Sequence, residues 1–212
     1  MPRSYAQICG IARALDVVGD RWTLLVVREF VLGPRRYSDV LDSLDGITTN
    51  LLADRLARLT AACVLERREL PAPARAEGYA LTDLGRRLEP ALLALGAFGA
   101  ALPLADDVSY RTDARWAMLS MRRRFRGARM DLDLDVRVDA ARFRATAAAG
   151  EALRVVDGGG VGSCATLELA GPALARWLGG AALSDLEADG DARLTGSRAQ
   201  LRAFARAVEL GY

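Results

Sequence analysis

Residues 48–63, TTNLLADRLARLTAAC, decide the fold of the N-terminal half of this chain. Leu52, Leu56 and Leu59 recur at the spacing of a single helix face, which is typical of an amphipathic helix. Thr48 is suited to the N-cap, because a threonine hydroxyl accepts a hydrogen bond from a free backbone amide of the first turn. The stretch therefore predicts a helix with one buried face and one polar face.

A short helix is predicted immediately before this one, over residues 37–44. A tight glycine-containing turn joins the two helices, and two helices connected in this way form a helix-turn-helix. Further upstream, apolar periodicity predicts helices over residues 6–18 and 21–32, the second of them capped by Asp20.

The residues that follow predict a β-hairpin and one more helix. Residues 64–70 and 79–81 have strand character and flank the turn-forming segment PAPARAEG. A hairpin in this position is the wing of a winged helix-turn-helix. A long helix is then predicted from Thr82 to about residue 102. Because its second half carries no charge, we expect it to lie in the core or in a subunit interface.

The N-terminal end of the 48–63 helix is the candidate DNA-binding site, since the positive end of a helix dipole suits the major groove. Asparagine can bond an adenine edge twice, and a threonine methyl can contact a thymine methyl. Asp54 would repel phosphates, so we expect it to orient a neighbouring arginine; Thr48 has the alternative role of a helix cap only. The candidates for base contact are Thr48, Thr49 and Asn50. The candidates for phosphate or minor-groove contact are Arg35, Arg36, Arg55, Arg58 and, at the wing tip, Arg75.

Several motifs in order resemble the HxlR family of winged-helix transcription regulators: a cysteine before the first helix, then GDRW, LGPRRYSD, TTNLLADRL and YALTDLGR. The resemblance covers roughly residues 5–102. It implies a homodimer that binds a palindromic operator, and in some members the N-terminal cysteine, here Cys9, senses oxidants or electrophiles. The chain departs from the family at Gly10, where proline is usual, and at Cys63, where glycine is usual.

Each of these two cysteines has two interpretations. Cys9 precedes a helix, and a helix N-terminus stabilises a thiolate and raises its reactivity; the alternative is an inert, buried packing cysteine. Cys63 stands where glycine would permit a positive φ. Either the cysteine adopts that conformation at some cost, or the end of the helix is altered.

The second half of the chain predicts an α+β module. PLADDVSYRTDAR reads as a linker, so the domains are 1–105 and 116–212, joined by 106–115. Met130 to Asp139 alternates strictly between apolar and charged residues, as a half-buried antiparallel strand does. Further strands are predicted over 142–148, 152–156, 163–169 and 192–195, in a mainly antiparallel sheet, with helices over 116–125, 172–178 and 198–208.

The order of these elements resembles the sterol carrier protein 2-like domain, especially through RVDAARFRATAAAG, ATLEL, GPALARWLGG and ARLTGSRAQLRAF. The resemblance implies an apolar tunnel and therefore an apolar effector. Large aromatic residues often line such pockets, although these could equally be ordinary core residues. The candidates are Trp116, Phe125, Phe143 and Trp177.

Composition excludes several kinds of chemistry. The chain of 212 residues has no histidine, and its 29 basic side chains are all arginine, so catalytic triads, histidine metal sites and Schiff-base lysines are excluded. Three widely spaced cysteines suggest neither a zinc site nor a disulfide framework. The aspartates at 131, 133 and 135 are expected on a solvated strand face, and the glycine run 158–162 is expected to be a turn rather than a phosphate loop.

These observations predict a cytoplasmic, dimeric, sequence-specific DNA-binding regulator that acts as a repressor. Its DNA affinity is expected to depend on an apolar effector in the C-terminal domain or on Cys9 chemistry. We expect no enzyme activity, no metal, no cofactor and no membrane segment, since the longest uncharged run is shorter than a membrane span. The alternative is a lipid or small-molecule carrier whose winged helix mediates protein contacts.

Overall fold

The computed structural model describes residues 4–70, 76–103, 110–159 and 162–209. The chain divides into two compact units, Met1–Leu95 and Gly96–Tyr212, called unit 1 and unit 2 below. In the described residues, no helix has the length and apolar character needed to cross a membrane.

Unit 1 is a winged helix-turn-helix. Strands β1 and β2 pair as an antiparallel hairpin, with Leu65 opposite Leu81. The strands are β1 (Leu65–Glu69) and β2 (Glu77–Leu81). The helices are α1 (Gly10–Val18), α2 (Thr23–Glu29), α3 (Tyr37–Ser43), α4 (Thr49–Ala61), α5 (Asp83–Arg86) and α6 (Glu89–Ala100), the last of which continues into unit 2.

The predicted caps are confirmed. The Asp20 carboxylate accepts hydrogen bonds from the backbone amides of Trp22 at 2.9 Å and Thr23 at 3.1 Å, where α2 begins. At the start of α4, the Thr48 hydroxyl accepts a hydrogen bond of 3.3 Å from the amide of Leu51. Both polar side chains satisfy amides that have no partner within their own helix.

The core of unit 1 is built on the apolar face of α4. Leu52, Leu56 and Leu59 are buried and pack with residues of α2, α3 and the wing. The residues in this cluster that come from the other elements include Val26, Val27, Phe30, Val40, Leu65 and Leu81. This packing fixes α4 firmly and leaves its polar face outside.

The expected long helix after the wing is in fact two helices, so this prediction was wrong. α5 ends at Arg86, and α6 begins at Glu89 with Pro90 as its second residue. Proline has no N–H to donate to a preceding carbonyl but is favoured in the first turn of a helix, so it marks a new start. No residue of α6 is buried, which rules out the core as its location in the single chain.

Cys63 adopts the left-handed conformation, with φ of 57°, as the first of the two interpretations predicts. The amide of Cys63 donates to the Thr60 carbonyl at 3.0 Å, and the amide of Val64 donates to the Leu59 carbonyl at 2.9 Å. These two bonds form a Schellman motif, which normally carries glycine at the left-handed position.

We expect Cys63→Gly to raise the free energy of unfolding by about 1 kcal/mol, because glycine adopts this conformation without the strain that a Cβ introduces. Equilibrium urea denaturation measures the change. Cys63→Ala is the matched control, since it removes the thiol but keeps the Cβ, and should show no gain. An equal gain in both variants would mean that the thiol, rather than the backbone, carries the cost.

Unit 2 is an α+β fold with one five-stranded sheet in the order β5-β4-β3-β6-β7. Strands β3 and β6 are parallel and the other three pairings are antiparallel, so the predicted mainly antiparallel sheet is confirmed. The sequence pattern did not predict α9. The strands are β3 (Leu132–Val138), β4 (Ala141–Ala147), β5 (Arg154–Asp157), β6 (Ala165–Leu169) and β7 (Ala192–Gly196). The helices wholly within the unit are α7 (Ala114–Arg124), α8 (Gly171–Leu178), α9 (Leu183–Ala188) and α10 (Arg198–Ala207).

The charged side of β3 differs from the expected solvated face at one position. Asp133 is partly exposed and binds Arg144 through two hydrogen bonds of 2.9 Å, but Asp135 is only 3% exposed. The connection from β5 to β6 has to cross β4 and β3, and a Cβ on Gly159 in that connection would lie 2.9 Å from Asp135 Oδ1. Gly159 is therefore more than part of a local turn, because its missing side chain allows the backbone at this residue to lie close to Asp135. No group of three potential metal ligands occurs in the described part of the chain.

Candidate nucleic-acid interface

The N-terminal end of α4 presents three exposed polar residues, Thr48, Thr49 and Asn50, on a helix whose other face is buried. The Tyr37 hydroxyl donates a hydrogen bond of 2.7 Å to the Thr49 carbonyl and so ties α3 to the first turn of α4. The first turn of α4 contains no acidic residue. The arrangement offers short polar side chains and the positive helix end to a ligand outside.

Asp54 organises the two arginines further along α4. Its carboxylate accepts hydrogen bonds from Arg55 at 2.9 Å and from Arg58 at 3.1 Å, as expected of a residue that orients its neighbours. Arg55 also ion-pairs with Asp20 at 3.1 Å, and its side chain is only 16% exposed. The Arg58 side chain is 58% exposed. Of the two, Arg58 is therefore the one that can reach a phosphate, whereas Arg55 connects α4 to the start of α2.

The Asp20 carboxylate is charged at neutral pH. Burial acts to raise its pKa, but hydrogen bonds from Thr23 and Trp22 and the charge of Arg55 outweigh burial and hold the pKa below its ordinary value. The ion pair that holds α4 against the start of α2 is consequently present throughout the neutral range.

Arg35 lies elsewhere than expected, in the interior of unit 1. Its side chain is 12% exposed and ion-pairs with the fully buried carboxylate of Glu29. It also donates to the Ser43 hydroxyl at 2.9 Å and to the Asp39 carbonyl at 2.8 Å. The Arg35 backbone bonds to Tyr79 of β2 in both directions. These contacts join α2, α3 and the wing, so the structure gives the Arg35 guanidinium a role in the interior of unit 1 in place of the expected exposed position.

A sequence signal for this buried pair existed but was missed. Glu29 lies in the otherwise apolar helix 21–32, and a carboxylate is almost never fully buried without a partner. A lone acid in such a helix indicates an internal ion pair and points to the nearest arginines as its partners.

Arg36 is the remaining DNA candidate among the described residues, and the wing carries a further exposed arginine, Arg67. Arg36 is half-buried at the N-cap of α3, where its amide donates a hydrogen bond of 3.4 Å to Asp39. On the wing, the Arg67 guanidinium bonds Glu77 at 3.2 Å and lies 6.0 Å from the centre of the Tyr79 ring. Arg75, the candidate at the wing tip, lies outside the described residues.

Cys9 is exposed and occupies the N-cap of α1, so it is not the buried packing cysteine of the alternative interpretation. Hydrogen bonds from the backbone amides of Ala12 and Ile11 lower the pKa of its thiol. A lower pKa increases the thiolate fraction at neutral pH, and the thiolate is the reactive form. Cys63 and Cys164 are also exposed.

The four aromatic candidates of unit 2 have different environments. Phe143 and Trp177 are fully buried, and the Trp177 ring centre is 6.2 Å from that of Phe204. This environment matches the alternative interpretation, an ordinary core. Trp116 and Phe125 are half-buried, and the Arg111 guanidinium lies 5.9 Å from the Trp116 ring centre.

Three surface cavities are lined by residues other than these four aromatic candidates. Two in unit 2, of about 400 and 250 Å³, are lined mainly by residues at the ends of β3 and β4. One of about 1000 Å³ in unit 1 lies between α1 and α4 and includes Leu15, Val17, Asp20, Arg55 and Arg58.

Taken together, the wing, the anchored helix-turn-helix and the exposed polar end of α4 define a DNA-binding protein of the winged-helix class. The profile of the HxlR-like helix-turn-helix family matches residues 17–104. An uncharacterized HTH-type transcriptional regulator of Synechocystis, sll1512, is 38% identical over 93 residues, which are 43% of this chain and 68% of that protein. The chain belongs to the HxlR-like family of transcriptional regulators.

A further relative from Bacillus subtilis is matched both in sequence and as a solved structure. The transcriptional regulator YodB is 30% identical over 36% of this chain and 68% of its own length. The solved structure of reduced YodB covers 44% of this chain and 92% of that chain, with 26% identity and a TM-score of 0.39. The relatives are named as transcriptional regulators rather than as enzymes. Each of these matches leaves more than half of the present chain uncovered.

Proposed function

We propose that this protein is a dimeric, sequence-specific transcriptional repressor that reads a palindromic operator in the cytoplasm. The observation that carries the proposal is the exposed end of α4, where Thr48, Thr49 and Asn50 lie above a fully anchored apolar face. A rigidly held helix with exposed polar residues at its N-terminus suits direct readout of base edges in the major groove.

Apolar surface on α1 and α6 supports the dimer. Large apolar side chains are exposed on both helices, Phe98 by 67%, and α6 carries no charge after Glu89. A monomer rarely exposes so much apolar surface, and a second copy offers the same faces for a two-fold contact. The residues concerned are Ile11, Leu15, Val17, Leu95 and Phe98. For such a dimer to read two half-sites, its two α4 helices have to lie about 34 Å apart, one turn of DNA, and the two-fold symmetry makes the operator a palindrome.

Arg58 and Arg36 are the proposed phosphate contacts, together with Arg75 on the wing. A dimer that occupies the operator excludes other proteins from the same stretch of DNA, and for this reason we infer repression rather than activation.

We expect Arg58→Ala to weaken binding to operator and to random DNA by the same factor, because a phosphate contact carries no sequence information. The slope of log Kobs against log salt should become shallower by about one unit. Fluorescence anisotropy titrations at several salt concentrations measure both quantities. A loss confined to the operator would instead assign Arg58 to base recognition.

Two routes for an effector are proposed. An apolar ligand in unit 2 is supported by the order of strands and helices on which the sterol-carrier resemblance rests. Oxidation or alkylation of Cys9 is supported by its exposure and its lowered pKa. Either event changes DNA affinity only if it favours one of two states of the dimer that bind DNA differently.

We expect Cys9→Ser to abolish the response of DNA binding to mild oxidant, because serine cannot form a thiolate. Gel shifts before and after treatment with oxidant provide the measurement, with Cys164→Ser as the matched control that keeps the response. If the Cys9→Ser variant still responds, the thiol chemistry lies elsewhere.

The proposed function is tested by a gel shift of the purified protein on its own upstream DNA, with random DNA as competitor. The titration is repeated after organic extraction of bound apolar molecules, and the oligomeric state is measured by sedimentation. Specific retardation by a dimer supports the proposal. If neither the upstream DNA nor any sequence from a random-oligonucleotide selection is retained, the protein is instead a carrier of apolar molecules.

A further inference from the structure

Unit 2 carries a dense group of arginines where α7 ends. Four arginines occur within seven residues, beginning in the last turn of α7 and continuing past its end. We call them the arginine cluster: Arg123, Arg124, Arg126 and Arg129. Three of them influence one another directly, since burial and the positive charges of Arg124 and Arg126 lower the pKa of Arg123. Arg129 is exposed. Its Cα atom lies at most about 10 Å from that of Arg126, because three residues of fully extended chain span no more than this.

Negative charge near the cluster is too small to balance it. Arg126 forms an ion pair of 3.2 Å with Glu209, and Arg124 donates to the Glu209 carbonyl at 3.2 Å. Arg123 donates to a neutral group, the Ser120 hydroxyl, at 3.4 Å. The helix ends of α7 and α10 contribute the equivalent of about half a negative charge each. Asp131, two residues after Arg129, adds a second carboxylate. Among the described residues, about one positive charge of the four therefore remains uncompensated.

Uncompensated guanidinium groups are suited to phosphate, because their planar set of donors matches phosphate oxygens. A local excess of arginine is also the electrostatic signature of a polyanion-binding surface. Unit 1 binds DNA, and the chain tethers unit 2 to it, so the duplex is present at high effective concentration around the cluster. This tether favours the DNA backbone over an anionic membrane as the partner.

We propose that the arginine cluster is a second DNA contact, in which unit 2 binds backbone phosphates without reading the sequence. This inference rests on the proposed function, because it requires that the protein binds DNA through unit 1. The cluster adds affinity and salt dependence, while specificity stays with α4.

The test measures how binding of the full chain to one long duplex of random sequence depends on salt. It compares the wild type with variants of the cluster and with a control variant. In the variant Arg123→Ala with Arg129→Ala, the slope of log Kobs against log salt should become shallower by about 1.8, which is 0.9 for each phosphate that the variant no longer neutralises. Arg124 and Arg126 are kept because they bind Glu209. The matched control, Arg142→Ala with Arg193→Ala, removes the same charge from exposed strand positions and should leave the slope unchanged. The single variant Arg129→Ala, at an exposed position, should make the slope shallower by about 0.9. It replaces the double variant in the test if the double variant does not fold.

The outcomes separate the two proposals. If the wild-type protein binds DNA and the cluster variants keep the wild-type slope, the second contact is refuted while the proposed function stands. An equal change in the control pair would refute it too, because the effect would be one of net charge. If the wild-type protein binds no DNA, both proposals fail. Binding of the wild type to vesicles with anionic lipid, abolished in the cluster variant without a change in the DNA slope, would assign the cluster to a membrane surface instead.

Discussion

Replacing Arg35 with alanine is expected to destabilise the winged helix-turn-helix by about 3 kcal/mol, the lower end of the cost of removing one partner from a buried ion pair, because Arg28 also pairs with Glu29. Glu29 would keep its buried carboxylate with Arg28 as its remaining ion-pair partner, at 2.8 Å, after losing the guanidinium of Arg35. The same substitution removes the hydrogen bonds to Ser43 and to the Asp39 carbonyl, which connect α2 with α3.

Equilibrium urea denaturation of the full-length chain provides the measurement, with circular dichroism and tryptophan fluorescence as signals. Arg58→Ala is the matched control, because its ion pair with Asp54 is exposed and contributes less than about 1 kcal/mol. If Arg35→Ala keeps wild-type stability and binds DNA more weakly, Arg35 is a phosphate contact after all, and the interior role assigned to it is wrong.

Asn50→Ala is expected to weaken operator binding by about 5- to 150-fold and to leave binding to random DNA nearly unchanged. A bidentate contact to a base contributes about 1–3 kcal/mol of discrimination, which corresponds to this range. Asn50 is exposed, so its replacement leaves a surface alanine and does not disturb the core.

The measurement is a pair of anisotropy titrations at one salt concentration, on the selected operator and on random DNA. Unfolding in urea should be the same for the variant and the wild type, which separates a defect in base recognition from a defect in folding. Arg58→Ala serves as the comparison, since it should weaken both titrations equally. Equal losses of affinity for Asn50→Ala would show that the amide binds the backbone and does not read a base.

Local patterns predicted much of unit 1, because the information for each element lies within a few residues. The apolar spacing of α4, its Thr48 cap and the Asp20 cap of α2 could all be read from neighbouring residues. The positive φ at Cys63 was one of two alternatives left open, because glycine is usual there in the family that the chain resembles, and the structure decides between them. The break at Pro90 was missed since apolar periodicity continues across it, although proline is a local signal.

The roles of charged side chains were harder to predict, because they depend on which groups fold together. Arg35 and Arg58 look alike in the sequence, yet one ion-pairs with a buried carboxylate and the other extends into solvent. Asp135 follows the same alternation as Asp133, but a crossing connection buries it. Neither fact can be derived from the spacing of residues in the sequence.

The sequence by itself determined the winged helix-turn-helix, the end of α4 that is exposed, and the absence of histidine and lysine chemistry. Helix periodicity, capping and composition are local or additive properties, so they can be read from the sequence without knowledge of the fold. Only the tertiary structure decided which arginines are buried, that Gly159 lies close to Asp135, and that α6 has no buried residue. Burial and ion pairing depend on contacts between residues distant in the chain, and those contacts exist only once the chain has folded.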